Sequence, residues 1–181
     1  MSELKDKIIK AIIKVEGGYV NDPDDSGGET NYGITKKVAR DFGYAGDMRD
    51  LPWQTAFDIY ASKYWEPLLL SSIEKMSEGV AEELADTGVN MGIGRAAKFL
   101  QRSLNSLNNR GKHYRDLVVD GQLGGKSLQA LGEYLAHRGI EGERVIIKML
   151  NCLQGSFYVV LAERREKDEK HIFGWFKNRV N

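Results

Sequence analysis

Apolar residues recur at helical spacing through the first third of the chain. The first such run can be capped by Ser2 and ended by Gly17-Gly18, and its apolar members are Leu4, Ile8, Ala11, Ile12 and Val15. Thr35 can cap a second helix over about 36–42. A third begins after Asp50-Leu51-Pro52, ends at Pro67, and carries Trp53, Phe57, Tyr60 and Tyr64.

The same spacing predicts four helices in the rest of the chain. We expect them over 76–90, 93–107, 127–137 and 142–167, with a polar connection from Asn108 to Gly125. The tail carries three large aromatic residues that should fold back onto the body: Phe173, Trp175 and Phe176.

Residues 19–35 are rich in Asn, Asp and Gly, which is typical of a loop with at most a small β-hairpin. The sequence therefore predicts an all-α fold. We expect a first lobe over 1–80 and a helical second lobe over 81–181, packed tightly on the first.

The charge balance argues against nucleic acid as a partner. The 181 residues include 26 Lys plus Arg and 26 Asp plus Glu, so no basic excess exists. No apolar run approaches the roughly 20 residues of a membrane span, so stable membrane insertion is not expected. The amino terminus lacks the pattern of a signal peptide. We expect synthesis in the cytoplasm and a monomer.

Metal and thiol chemistry are not expected. Asp22, Asp24, Ser26 and Gly27 imitate the start of a calcium loop, but Gly33 stands where a bidentate Glu is required. The three histidines, His113, His137 and His171, lack ligand spacing. Cys152, the single cysteine, lies at an apolar helical position and predicts a buried thiol. We expect no metal and no cofactor.

Glu16 is the first candidate for catalysis. It falls at the carboxyl end of the first helix, where the helix dipole disfavours a carboxylate and raises its pKa. Partial burial beside Val15 and Tyr19 would act in the same direction. A carboxylic acid that stays protonated near neutral pH can donate a proton to a leaving oxygen. The plain alternative is an ordinary helix end before Gly-Gly.

Asp25 is the candidate partner, nine positions later in a polar loop where it should stay ionised. Two carboxylates in contrasting environments can act as an acid and as a base or cation stabiliser. The hydroxyl of Thr30 can help position water. The plain alternative is that the Asp- and Gly-rich cluster is only a turn.

The segment resembles glycoside hydrolase family 108, the N-acetylmuramidases of phages, prophages and bacteria. The matching residues are Glu16-Gly17-Gly18-Tyr19, Asn21-Asp22-Pro23, Asp25-x-Gly27-Gly28-x-Thr30 and Gly33-Ile34-Thr35. The resemblance implies a lysozyme-like fold, peptidoglycan glycan strands as substrate, and Glu16 as the catalytic acid. The Glu-to-Asp spacing also resembles that of phage lysozymes, whose threonine usually stands one position further along, where this chain has Asn31.

The second half resembles the predicted peptidoglycan-binding region of the same family. The matching motifs are Asp86-x-x-x-Asn90-x-Gly92, Ala96-Ala97, Leu100-Gln101 and Asp120-Gly121-x-x-Gly124. The resemblance implies glycan contact through Asn90 and Gln101. The plain alternative is a turn and helix packing.

Further substrate contacts are expected around the acidic loop. Tyr19 and Tyr32 flank it and can stack on sugar faces, with Trp65 as the next candidate. Asn21 and Asn31 supply polar groups. Glu66 is a rival carboxylate.

Two functions are therefore weighed. The first is a muramidase of endolysin type, released to the periplasm and cell wall by a holin or export partner. The second is a non-catalytic wall-binding or secretion-accessory protein, because some relatives are labelled as secretion activators. The retaining or inverting outcome depends on the carboxylate separation, which the sequence leaves open.

Overall fold

The computed structural model describes residues 2–21 and 28–180. The chain divides into two compact units, Met1–Glu66 and Pro67–Asn181. The boundary expected after residue 80 falls inside a helix, Glu78–Met91. Each unit is described by itself.

The first unit begins with helix α1, Glu3–Glu16, where the Ser2 hydroxyl accepts a hydrogen bond from the Lys5 N–H. A two-stranded antiparallel hairpin follows, β1 Thr30–Asn31 and β2 Ile34–Thr35. The hairpin leads into α2, Lys36–Asp41, which the Thr35 side chain caps. The predicted caps and the small hairpin are thus confirmed.

The third predicted helix is divided. Helix α3, Trp53–Tyr60, passes directly into a π-helical segment, Ala61–Trp65. A 3₁₀ turn, Met48–Asp50, precedes α3. A π-helix has i→i+5 hydrogen bonds and therefore more residues per turn than an α-helix. The side chains after Tyr60 consequently depart from the regular helical spacing that the sequence predicts.

The core of the first unit gathers apolar side chains from α1, the hairpin, α2 and α3. Ile9 and Ile13 of α1 are buried against this cluster, whereas Ala11 is exposed. Ile34 of β2 and Phe57 of α3 are buried in the same cluster. The hairpin is therefore anchored to the helices through Ile34, next to the end of α1.

The second unit is helical among the described residues. Its helices are α4 Leu70–Glu74, α5 Glu78–Met91, α6 Ile93–Leu107, α7 Gly125–Arg164 and α8 Glu169–Arg179. The break predicted between 137 and 142 occurs as a kink in α7 at Gly139, whose φ is 58°. The expected all-α class is confirmed.

Polar side chains cross-link the helices of the second unit. Asn151 of α7 donates to Glu83 of α5 at 2.8 Å, and Gln154 donates to Asp86 at 2.8 Å. Arg179 of α8 also bonds to Asp86, at 2.9 Å.

The aromatic tail folds back, as predicted. Trp175 of α8 stacks on Tyr158 of α7 with ring centroids 4.7 Å apart, and Gly155 of α7 lies against Phe176. The tail therefore belongs to the packed body of the second unit.

Helix α7 differs from the sequence expectations in two respects. By length and composition alone it could cross a membrane, a test that the core helices of soluble proteins also pass. Within the second unit its Asn151 and Gln154 bond to α5, as a packed helix does. Cys152 is exposed, so the prediction of a buried thiol is wrong. Its side chain lines a small pocket together with residues of α6.

Candidate active site

Glu16 is the last residue of α1, and Gly17, with φ of 82°, ends the helix immediately after it. The predicted position at the helix end is confirmed. The predicted partial burial is wrong, because Glu16 is exposed. Its carboxylate can therefore reach a substrate.

The hairpin turn lies directly against this carboxylate. Gly33 has φ of 70°, and a Cβ placed on it would come within 2.7 Å of Glu16 Oε2 and 2.8 Å of Glu16 Cβ. The preceding residue, Tyr32, also has a positive φ, 53°. A glycine is thus required at position 33 both for the backbone conformation and for the approach of Glu16.

Tyr60, the last residue of α3, completes the contact. The same built Cβ would lie 2.9 Å from Tyr60 Oη, and this hydroxyl donates a hydrogen bond of 2.9 Å to the Tyr32 carbonyl. Burial raises the pKa of the Tyr60 phenol well above its usual value, and the Glu16 carboxylate adds to the rise. Tyr60 therefore stays protonated and holds the turn beside Glu16.

Sequence reasoning assigned no site role to Tyr60, because its helical spacing is that of a core residue. It did include Gly33, but only as a member of the family motif. A signal was present for Gly33, since it belongs to the motif shared with the family. For Tyr60 the sequence offered none.

Two other hairpin residues have mainly structural contacts. Thr30 pairs through its backbone with Val20, and its hydroxyl donates to the Val20 carbonyl at 3.5 Å. Asn31 is buried, and its side-chain amide donates to the carbonyl of Met48 at 2.7 Å. This burial argues against the predicted sugar contact by Asn31.

Glu29 is a carboxylate of this region that the sequence analysis did not select. It accepts hydrogen bonds from Lys36 Nζ at 2.6 Å and from the Tyr19 hydroxyl at 3.0 Å. The Lys36 hydrogen bond, followed by that from Tyr19, lowers the pKa of Glu29 below its usual value. Glu29 is therefore ionised, and it stands one residue before β1. It occupies the unspecified position before Thr30 in the motif, so the motif gave no signal for it.

The remaining predicted residues of the first unit divide by exposure. Asn21 is exposed, and Tyr19 and Tyr32 are half-buried, so all three can meet a ligand. Trp65 is only 2% exposed, which argues against the predicted stacking on sugar. The rival carboxylate Glu66 is exposed at the end of the π-helical segment.

Asp25 lies outside the described residues, as do the four residues that imitate a calcium loop. Among the residues that the structure describes, no group of three or more His, Cys, Asp or Glu side chains could hold a metal. Two of the scattered histidines nevertheless meet in the fold. The rings of His113 and His137 have centroids 4.2 Å apart.

Of the two predicted glycan contacts of the second unit, Gln101 is buried and Asn90 is exposed. Gln101 is 2% exposed; its Nε2 donates to Asp120 Oδ1 at 2.8 Å, and its Oε1 accepts from the Gly121 N–H at 3.0 Å. The motif that joins Gln101 to Asp120-Gly121 therefore anchors a loop. This argues against direct glycan contact by Gln101. Asn90 is exposed, and its amide donates to the Asp86 carbonyl and carboxylate.

A solved structure of Brucella abortus SagA shares the fold. It is 24% identical to this chain, covers 98% of each chain, and has a TM-score of 0.56. A search of curated proteins found no match.

Family models match nearly the whole chain. Residues 9–92 match glycosyl hydrolase 108, and residues 95–180 match a predicted peptidoglycan domain. The first match contains Glu16, Gly33 and Tyr60, and the second contains the anchored loop at Asp120. The chain therefore carries a glycosyl hydrolase 108 domain followed by a predicted peptidoglycan domain, and the two together support a glycosyl hydrolase that acts on peptidoglycan.

Proposed function

We propose that the protein is an N-acetylmuramidase that cleaves the β-1,4 bond between N-acetylmuramic acid and N-acetylglucosamine. Glu16 is the general acid in this proposal. The observation that carries it is the placement of an exposed carboxyl group at the end of α1, against Gly33 and Tyr60. This arrangement falls inside the glycosyl hydrolase match.

The proposed reaction divides the work between two groups. Glu16 protonates the glycosidic oxygen as the bond to the leaving sugar breaks. Asp25 orients the attacking water or stabilises the positive charge that develops on the sugar ring. Thr30, at the base of the hairpin, helps to hold that water. Glu29 is the alternative second carboxylate, although Lys36 and Tyr19 already occupy its oxygens.

The test uses purified bacterial cell walls. The loss of turbidity measures the rate of hydrolysis, and the chemistry of the products identifies the bond that is cleaved. We expect the wild type to clear walls and to release products that end in reducing N-acetylmuramic acid. Borohydride reduction followed by mass spectrometry identifies that end. Reducing N-acetylglucosamine, or a non-reducing anhydro end, would assign a different bond or mechanism.

Glu16→Gln removes the proton but keeps the size of the side chain. We expect its rate to fall by on the order of 100-fold or more. The matched control is Glu66→Gln, an exposed carboxylate of the same unit, which should keep nearly full activity. Full activity in Glu16→Gln would overturn the assignment of the acid.

The second candidate is a non-catalytic wall-binding or secretion-accessory protein, which the predicted peptidoglycan domain favours. It predicts that wild type and Glu16→Gln bind walls equally and that neither clears them. As an endolysin, by contrast, the protein would act in the periplasm as a monomer after a holin or another export partner releases it. Loss of lysis when that partner is deleted would support this setting.

A further inference from the structure

The second unit contains a cavity of about 750 Å³, a volume typical of small-ligand sites. It lies between the loop 114–124 and the first turns of α7. The cavity is far along the chain from Glu16 and plays no part in the proposed hydrolysis.

Charges of both signs line this cavity. Arg115 and Lys126 are exposed, and among the described residues neither makes an ion pair. Asp116, Asp120 and Glu133 supply the opposite sign. Hydrogen bonds from Gln101 and from the Gln122 N–H lower the pKa of Asp120, so it is ionised. A ligand that carries both carboxylate and ammonium groups would match this lining.

The cavity lacks a surface on which a sugar could stack. Tyr114 is the aromatic residue among its described lining, and it is 8% exposed, with its hydroxyl donating to the Leu104 carbonyl. Proteins commonly bind sugars by laying the ring against an exposed aromatic face. The lining therefore favours a charged peptide over a glycan.

The walls of the cavity are braced before any ligand arrives. Asn108 is fully buried, and its amide donates to the Tyr114 carbonyl and to Asp116 Oδ1. Gln101 holds the other side of the loop through Asp120. A braced site loses little conformational entropy on binding.

We propose that this cavity binds the stem peptide of peptidoglycan. The inference rests on the proposed function, since it assumes the same polymer as substrate. Arg115 and Lys126 receive the carboxylates of the D-glutamate and of the diamino acid, and Asp116 and Glu133 receive the side-chain ammonium group. The second unit thereby selects glycan strands that carry peptides.

The test measures calorimetric binding of soluble fragments to the full-length protein. The probe is the tripeptide L-Ala-γ-D-Glu-meso-diaminopimelate, and the comparison ligand is the peptide-free N-acetylglucosamine–N-acetylmuramic acid disaccharide. We expect the tripeptide to bind and Arg115→Ala/Lys126→Ala to weaken it by at least about tenfold. Lys148→Ala, an exposed lysine on α7 that does not line the cavity, should bind like the wild type.

Amidation of the peptide carboxylates should weaken binding to the wild type and have little further effect in the double variant. The proposal is overturned if the tripeptide does not bind, if the double variant binds it as the wild type does, or if the double variant weakens only the disaccharide. Thermal unfolding of each variant shows that it is folded.

The two proposals fail separately. A protein that clears walls but does not bind the tripeptide is a muramidase without the peptide site. A protein that binds the tripeptide through Arg115 and Lys126 but does not clear walls has the site without the proposed activity.

Discussion

The carboxylate of Glu16 lies so close to the backbone of Gly33 that a Cβ at position 33 would come within 2.7 Å of Oε2. The backbone of Gly33 is also left-handed, with φ of 70°. The two residues are 17 positions apart, and the hairpin turn joins them. The contact makes Gly33 part of the candidate acid's environment.

Gly33→Ala should therefore displace Glu16. We expect wall-clearing activity to fall by on the order of 100-fold, because a shift of about 1 Å in a reacting group can cost that much. The positive φ should cost a further ~1–2 kcal/mol in the free energy of unfolding. Turbidity rates and thermal unfolding measure the two effects.

Gly43→Ala is the matched control for that experiment. Gly43 lies in the same unit with φ of 99°, and no atom lies within 4 Å of a Cβ placed there. It should lose stability but keep activity. If both variants lose activity equally, backbone strain and not displacement of Glu16 explains the loss.

Tyr60→Phe removes the hydroxyl that holds the turn next to Glu16. The Tyr32 carbonyl would lose its hydrogen bond, at a cost of about 1–3 kcal/mol in the free energy of unfolding. We expect the rate of wall clearing to fall roughly tenfold, which corresponds to about 1.4 kcal/mol. Tyr64→Phe, whose ring stacks on Tyr60, keeps the stack and should remain active. Equal loss in the two variants would contradict the specific role of Tyr60.

The second carboxylate can be identified by comparing Asp25→Asn with Glu29→Gln. We expect Asp25→Asn to lower the rate by about 100-fold or more, as removal of a catalytic acid–base group does. Glu29→Gln should lower the melting temperature, because it weakens the bonds to Lys36 and Tyr19, and should change the rate by less than about tenfold. The reverse order would assign the catalytic role to Glu29.

Glu83 should make stability depend on pH. Burial, with Asp86 as a second cause, raises the pKa of Glu83 from 4.5 to about 7 in the folded protein. The folded state therefore holds this proton more tightly than the unfolded state. The stabilising contribution is full below pH 4.5 and is lost as the pH rises to about 7, a change of up to about 3 kcal/mol.

Glu83→Gln keeps the neutral form at every pH. The variant should match the wild type near pH 4.5 and should be more stable above pH 7, as denaturant unfolding at the two pH values would show. Taking the difference between the unfolding free energies of the two proteins removes the contribution of the other carboxylates, which both proteins share. A constant difference across this range would mean that Glu83 does not titrate as described.

The elements that the sequence predicted well depend on local interactions. Helix α6 spans Ile93–Leu107, the predicted range, because the spacing of its apolar residues and the glycine before it are both local signals. The caps at Ser2 and Thr35 are equally local, since each bonds to a backbone N–H three residues on. The motif around Glu16 placed the candidate acid at a helix end for the same reason.

The roles of individual side chains depended on packing between distant segments. Asn31, Trp65 and Gln101 have residue types suited to sugar binding, but their burial assigns them to the interior. Cys152 has an apolar neighbourhood in the sequence, yet it is exposed. Which face of a helix is buried depends on the elements that pack against it. The spacing of apolar residues along the sequence does not show which of two neighbouring apolar positions is the buried one.

The sequence by itself determined the helical class, the ends of α1 and α6, and the position of Glu16, because these follow from spacing and capping within a few residues. The tertiary structure decided what surrounds Glu16. Gly33 and Tyr60 reach it only because the hairpin and α3 pack on α1, and such contacts between distant residues leave no periodic trace in the chain.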